Sequence, residues 1–246
     1  MTMPDPAAAA EAHQPLPAYS FAFQPIVDAC ARQVHSYEAL IRGRSGEAAF
    51  SVLQRVPEAL THRFDFDSRL AAIALASRLG INTRLNLNFL PQALARSDAS
   101  LEETLRTAER CGLSADQLII EVTETEVIDD HNAFALRINR FRGLGLAVAI
   151  DDFGSGYSGL NLLADFQPDQ IKIDMNLVRG IQSHGPRQAI VRALIQACVD
   201  LGIDVVAEGV ESIDEYRWFA DEGVQYFQGY LFGRPGFECL PQAQFP

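Results

Sequence analysis

From Gly80 onward one pattern recurs along the chain. A helical stretch closes on a glycine, a short apolar run follows, and the run ends in a polar residue. The copies are LG-INTRLNLN, CG-LSADQLIIE, LG-LAVAIDD, LG-IDVVAE and EG-VQYFQ, with glycines at Gly80, Gly112, Gly145, Gly202 and Gly223. A glycine placed there supplies the left-handed residue that ends a helix. The apolar runs lack strict alternation, as expected of strands buried on both faces of a parallel sheet. QIKID at 170–174 adds a strand after the helix-like YSGLNLLADF and the breaker Pro168. Upstream, FAFQPIV and VHSYEALI read as strands with only DACARQ between them. A parallel crossover needs a dozen or more residues, so these two form an antiparallel hairpin. EAAFSVLQRV and FDFDSRLAAIALASRL follow as helices. In the second, Phe66, Leu70, Ile73, Ala74 and Ser77 share one face.

Eight strands with helices between most of them predict an α/β protein, a (β/α)8 TIM-like barrel with an antiparallel first strand. An open doubly wound sheet is the alternative, but no G-x-G-x-x-G follows a first strand. Residues 1–18, rich in Ala and Pro, read as a disordered tail, and one domain fills 19–246. No apolar stretch approaches the ~20 residues of a membrane span. The N-terminus has no basic stretch before an apolar core, so a cytoplasmic protein is expected.

Composition refines this only slightly: 48% hydrophobic and 21% charged residues are globular values. The formal net charge of -12 changes more. So acidic a body is a poor nonspecific binder of nucleic acid or of anionic membranes, and an anionic ligand would need local cations. Cys30, Cys111, Cys198 and Cys239 form no CxxC pair, which argues against a zinc clamp and for free thiols in a reducing compartment.

The chemistry lies at the strand ends, where a barrel places its active site. Read in order, those ends carry Glu38, Asn88, Glu121, Asp151 with Asp152, Lys172 with Asp174, Glu208 and Gln228. Each has a simpler reading alone. Glu38 suits a cross-strand ion pair, Asp151 or Asp152 a helix cap, Lys172 with Asp174 a surface pair, and Glu208 a strand terminator. Together they would crowd five carboxylates into one mouth, where they repel unless cations intervene. Oxygen ligands select Mg²⁺ or Mn²⁺, and the histidines show no HxH or HExxH spacing. Five carboxylates exceed what one octahedral Mg²⁺ takes, so two ions sharing an Asp fit better, an arrangement common in phosphoryl-group hydrolysis. The glycine-rich DDFGSGYSGL is either a tight βα turn or a mobile loop over the site.

YEALIR at 37–42, LNLNF at 85–89, EVTETE at 121–126, DDFGSGYSGL at 151–160, IKID at 171–174, VVAEGVE at 205–211 and FQGYLFGRP at 227–235 together resemble the EAL domain, the family of cyclic di-GMP phosphodiesterases. FQPDQIKIDMNLVRGI looks most like EAL domains attached to blue-light-sensing BLUF domains, although no BLUF domain is present here. The resemblance implies one metal on Glu38, Asn88, Glu121 and a bridging Asp151, and a second on Asp151, Asp152 and Glu208. It implies that Lys172 holds the attacking water, that Glu211 lies near the second metal and substrate, and that Glu124 anchors the DDFGSGYSG loop. Gln24, Leu40, Arg42, Asp174 and Gln228 would line the substrate groove, with Arg42 on a phosphate. The implied reaction opens cyclic di-GMP to linear pGpG. A homodimer through the helix at about 157–166 is also implied, although Leu160, Leu162, Leu163 and Phe166 equally suit a core. Gly43 and Met175 depart from the family's usual aromatic and Arg, which bears on guanine contacts. The rivals are a non-catalytic cyclic di-GMP receptor or protein-interaction domain, and an enolase-type barrel that abstracts a proton at Mg²⁺.

Overall fold

The chain's first two strands, β1 (Tyr19–Asp28) and β2 (Gln33–Gly43), pair antiparallel over their full length, with Tyr19 opposite Gly43 and Gln24 opposite Glu38. Both outrun the apolar segments at 21–27 and 34–41. The tight connection between them has Arg32 in the left-handed region at φ 51° and an Asp28 carboxylate accepting from the Ala31 N–H. The computed structural model describes residues 16–90, 98–123, 131–156, 163 and 166–246, so most of the tail expected at 1–18 lies outside it.

From β2 the sheet continues in parallel through β3 (Arg84–Asn88), β4 (Leu118–Thr123), β5 (Ala147–Phe153), β6 (Gln170–Ile173), β7 (Asp204–Ala207) and β8 (Tyr226–Gln228). β8 then pairs antiparallel with β1, which closes an eight-stranded barrel in which only β1 runs against the rest. A two-residue β9 (Gly236–Phe237) pairs along β1 beyond β8. Among the described residues the helices are α1 (Ala49–Leu53), α2 (Thr61–Arg78), α3 (Ala99–Arg110), α4 (His131–Arg142), α5 (Met175–Val178), α6 (Gly185–Leu201) and α7 (Ile213–Asp221). The five glycines that precede the recurring strands all have φ between 70° and 101°, so each ends its helix as the pattern requires.

Two layers follow from strand periodicity. Leu85, Leu87, Ile120, Val122, Val148, Ile150, Ile171 and Ile173 face outward into the main core, against Ile73, Leu101, Phe141, Val191 and Phe219 of the helices. Between them the strands turn Ser36, Glu38, Asn86, Glu121, Gln170 and Lys172 into the barrel, all buried. RLNLN and QIKI therefore do alternate, whereas in β4, β5 and β7 the lumen side is filled in part by Ile119, Ala149 and Val206, ladder partners of Asn86, Glu121 and Lys172, so those runs read as continuously apolar.

Two local expectations need correction. The helix read across 47–56 is confined to α1, followed by Pro57 and a 3₁₀ turn at Glu58–Leu60; proline has no N–H to continue the ladder. In α2 the buried face is Phe64, Ala72, Ile73, Leu75 and Ala76, whereas Phe66, Leu70, Ala74 and Ser77 are half-buried. The frame is turned because Arg69 is buried. Its guanidinium meets Asp65 at 2.8 Å, Ser100 at 2.8 Å, Thr104 at 3.1 Å and the Phe89 ring at 4.3 Å. Of the helix expected at 157–166, residues 157–162, 164 and 165 lie outside the described residues; Leu163 and Phe166 are core. All four cysteines are free, and among the described residues no helix is long and apolar enough to cross a membrane.

Candidate metal centre

Closure of the barrel gathers the charged strand ends around one ammonium. Lys172 on β6 is 1% exposed at its side chain. Its Nζ lies 2.6 Å from Glu208, 2.9 Å from Glu121, 2.9 Å from Asp151 and 3.2 Å from Glu38. An ammonium has three N–H donors, so four carboxylates cannot all be hydrogen-bonded by it. Accordingly Asp151 Oδ1 has no hydrogen-bond partner despite its ion-pair distance, and buried Glu121 Oε2 has none either.

Asp151 and Asp152 reach the same mouth through a distortion of β5. In a regular strand, consecutive side chains point to opposite faces. Here the β5–β6 register slips between Ile150 and Phe153, and Asp152 takes φ 52°. Such a bulge re-aims side chains at a barrel rim, and Asp tolerates the left-handed region better than a β-branched residue. The result is two overlapping oxygen sets. Glu38, Glu121 and Asp151 present carboxylate oxygens within 4.8 Å of one another, and so do Asp151, Asp152 and Glu208, with Asp151 common to both.

Burial first, then Glu38 and Asp151, push the Glu121 carboxyl up to about 8, against the pull of Lys172. Glu208 is likewise held well above the ordinary range, by burial first and then by Asp151 and Glu38. Asp152 rises to about 6, through partial burial of its carboxyl first and then Asp151 and Asp174. Burial alone would lower the Lys172 pKa, but Asp151, Glu121, Glu208 and Glu38 outweigh it and hold the ammonium protonated. Each raised carboxyl retains in the folded state a proton that the unfolded chain gives up near the ordinary value of 4.5 for Glu or 3.8 for Asp. Stability without metal therefore falls as pH rises from about 4.5 toward 8, whereas Lys172 contributes no slope until far more alkaline pH. Metal ions need ionised ligands, so their stabilisation grows over the same window. Thermal melts should show a larger rise in Tm with saturating Mg²⁺ at ~pH 8 than at ~pH 6; an equal rise would contradict this electrostatic account.

Neutral donors fix two of the carboxylates. Gln228 Nε2 on β8 donates to Glu38 Oε2 at 2.7 Å and lies 3.4 Å from Gln24 Oε1; Gln24 in turn donates to the Gly233 carbonyl at 3.1 Å. Asn86 Nδ2 donates to Glu121 Oε1 at 2.8 Å. Asn86 was not among the residues expected from sequence. The signal was there, since Asn86 stands two residues before Asn88 in RLNLN and so faces the barrel with it.

The remaining expected residues fall in several places. Gln24, Glu38, Asp151, Asp152, Lys172, Glu208, Glu211 and Gln228 line one open cavity of about 290 Å³. Leu40, Arg42 and Asn88 line a neighbouring, more apolar cavity of about 350 Å³. Asn88 is the Cα partner of Glu121 across the β3–β4 ladder. Asp174 is buried and caps α5, accepting from the Asn176 N–H at 2.8 Å. Glu211 pairs with Arg179 at 2.8 Å. Glu124 and the loop beyond Gly156 to 162 lie outside the described residues. Sequence reasoning also missed Arg179 and Tyr230, which rim the first cavity. Arg179 sits one helical turn past Met175, so it brings a cation to the side of the mouth where Met175 has none.

The donor set fits hard divalent cations. It is all oxygen, buried at Glu38 and Glu121, half-buried at Asp151 and Glu208 and exposed at Asp152, in surplus over its one ammonium, and includes a buried oxygen with no partner.

Comparison with known proteins agrees with this geometry. Residues 17–235 match the EAL domain family model. A standalone EAL protein from Vibrio cholerae O395, solved in a c-di-GMP-bound form, superimposes with a TM-score of 0.89 at 42% identity, covering 94% of this chain and 98% of that one. Klebsiella pneumoniae BlrP1, solved with calcium and cyclic di-GMP, gives 0.86 at 41% identity, covering 94% of this chain and 59% of that one. The Escherichia coli blue light- and temperature-regulated antirepressor BluF is 36% identical over 92% of this chain and 56% of its own length. The Pseudomonas aeruginosa cyclic di-GMP phosphodiesterase PA2567 is 32% identical over 88% of this chain and 38% of its own length. The chain thus spans about half or less of the length of these curated relatives.

Proposed function

The chain belongs to the EAL domain family, and from that membership and the charge geometry of its mouth we propose that it hydrolyses one phosphodiester bond of cyclic di-GMP, giving linear pGpG, with two divalent cations, Mg²⁺ or Mn²⁺. The observation that carries the proposal is the pair of carboxylate trios sharing Asp151 around buried Lys172. Glu38, Asn88, Glu121 and Asp151 would hold one ion, and Asp151, Asp152 and Glu208 the other. When bound, such a pair lowers the pKa of a water and stabilises the leaving oxygen.

The protein's own groups supply the rest. Lys172, whose ammonium the four carboxylates keep protonated in the metal-free protein, would hold or polarise the attacking water once those carboxylates turn away from it to the ions. Arg42 gives charge-assisted hydrogen bonds to a substrate phosphate. Gln24, Leu40, Asp174 and Gln228 shape the groove, Gln24 and Gln228 through their contacts beside Glu38, and Asp174 by fixing the turn after β6. Glu211, paired to Arg179, stands at the rim on the Glu208 side, and Glu124 would anchor the loop after β5. The acidic body is no obstacle, because the two phosphates are met locally. A cytoplasmic protein that dimerises through the segment around 157–166 completes the proposal.

Incubation with cyclic di-GMP and Mn²⁺ or Mg²⁺, followed by chromatography, should yield pGpG, and EDTA should stop the reaction. Intact substrate after long incubation, with measurable binding, would identify a receptor instead. That reading has one observation in its favour: the antirepressor BluF shares 36% identity with the chain.

A further inference from the structure

The two asparagines of the LNLN strand share a face but not a depth. Asn88 ends β3 and is exposed, whereas Asn86 is 0% exposed, midway along the strand, opposite Glu38 on β2 and Ile119 on β4. Its amide is too deep to reach solvent. Its one hydrogen bond to a side chain of the site is the 2.8 Å donation to Glu121 Oε1. The same oxygen lies 2.9 Å from Lys172 Nζ, so two donors converge on it. The other oxygen, Oε2, is buried and has no partner. With Glu121 ionised, as a metal ligand must be, flipping the amide would set oxygen against oxygen, so the carboxylate fixes the orientation of Asn86.

We propose that Asn86 is a positioning residue that locks the Glu121 carboxylate with Oε1 turned into the barrel and Oε2 presented toward Glu38 and Asp151 as a metal ligand. Glu121 rises from a strand with free torsions about its side chain. Lys172 alone does not hold it, because that ammonium is shared among four carboxylates. A neutral amide adds a second, fixed donor that brings no charge and cannot lose its proton. Outer partners of this kind orient metal ligands, and their loss typically weakens metal binding about 10–100-fold. The two asparagines of one strand thus divide the work: Asn88 at the rim for the ion itself, Asn86 beneath it for the ligand.

This inference rests on the metal reading of the mouth but not on hydrolysis. Mn²⁺ binding, followed by the EPR signal of free Mn²⁺ on titration, tests it directly. Asn86→Leu keeps the volume and removes the donor; Asn86→Ala keeps the fold accessible should leucine pack badly. Either variant should bind Mn²⁺ about 10–100-fold more weakly than the unmodified protein, with an unchanged far-UV spectrum. In activity assays the Mn²⁺ concentration for half-maximal rate should rise by the same factor while KM for the dinucleotide holds. Unaltered Mn²⁺ affinity in a folded variant would overturn the proposal. Failure of the unmodified protein to bind Mn²⁺ would overturn it together with the metal centre. Binding weakened by the substitution, without any hydrolysis by either protein, would support Asn86 and sink only the phosphodiesterase reading.

Discussion

Replacing Glu38 with glutamine should lower turnover of cyclic di-GMP about 10³-fold, close to 4 kcal/mol of barrier, while leaving the metal-free protein at least as stable as before. The two halves come from the same arrangement. Glu38 Oε2 accepts from Lys172 at 3.2 Å and from Gln228 at 2.7 Å, and its carboxylate lies in the trio with Glu121 and Asp151. Glutamine keeps the shape and an acceptor oxygen but withdraws one negative charge from a crowded, buried set. Without metal that withdrawal relieves repulsion and eases Glu121, whose carboxyl Glu38 helps push upward. With metal it removes a charged ligand. An ordinary structural glutamate would behave in the opposite way, losing stability and sparing chemistry. Thermal melts without metal and single-turnover rates with it separate the two. A Glu38→Gln protein that hydrolyses at the full rate would remove Glu38 from the centre.

Lys172→Met should be damaging on both counts. The ammonium is the one cation within ion-pair distance of Glu38, Glu121, Asp151 and Glu208 among the described residues. Removing one partner of a buried ion pair leaves uncompensated charge and costs about 3–5 kcal/mol. For a chain of this size that corresponds to a Tm lower by roughly 6–10 °C without metal. Part of the penalty is escaped by protonating the carboxylates, so the deficit should shrink toward acid pH. Saturating Mg²⁺ should narrow it too, since a dication replaces the missing charge. Turnover should stay lost at saturating metal, because methionine offers no hydrogen bond to the attacking water. A metal-free Tm equal to that of the unmodified protein would show that the carboxylates do not depend on Lys172.

How much of this could be read from the chain itself differs from element to element. The helix-ending glycines and the hairpin at 28–33 were legible because local rules decide them: left-handed dihedrals in one case, too short a connection in the other. The gathering of strand-end carboxylates followed from closure of the sheet, and the fold does bring Glu38, Glu121, Asp151, Asp152 and Glu208 together. What escaped depends on contacts between distant segments. The face read from sequence for α2 left Arg69 out, yet Ser100, Thr104 and Phe89 enclose it and turn the buried face of that helix. Asn86 reads as an odd polar residue in an apolar strand until Glu121 of the next strand supplies its partner. The DD pair is plain in the sequence, but the bulge and the left-handed Asp152 that aim both residues at one mouth are not. Alternation shows only in β3 and β6, and in β4, β5 and β7 it is hidden because Ile119, Ala149 and Val206 place apolar side chains on the lumen side as well.

Crystals grown with Mn²⁺ and measured at the manganese absorption edge test the central claim most directly. Two anomalous peaks roughly 3.5–4 Å apart are predicted in the mouth, both bonded to Asp151, one also to Glu38 and Glu121 and the other to Asp152 and Glu208. A mouth without manganese, or ions bound away from Asp151, would contradict the account.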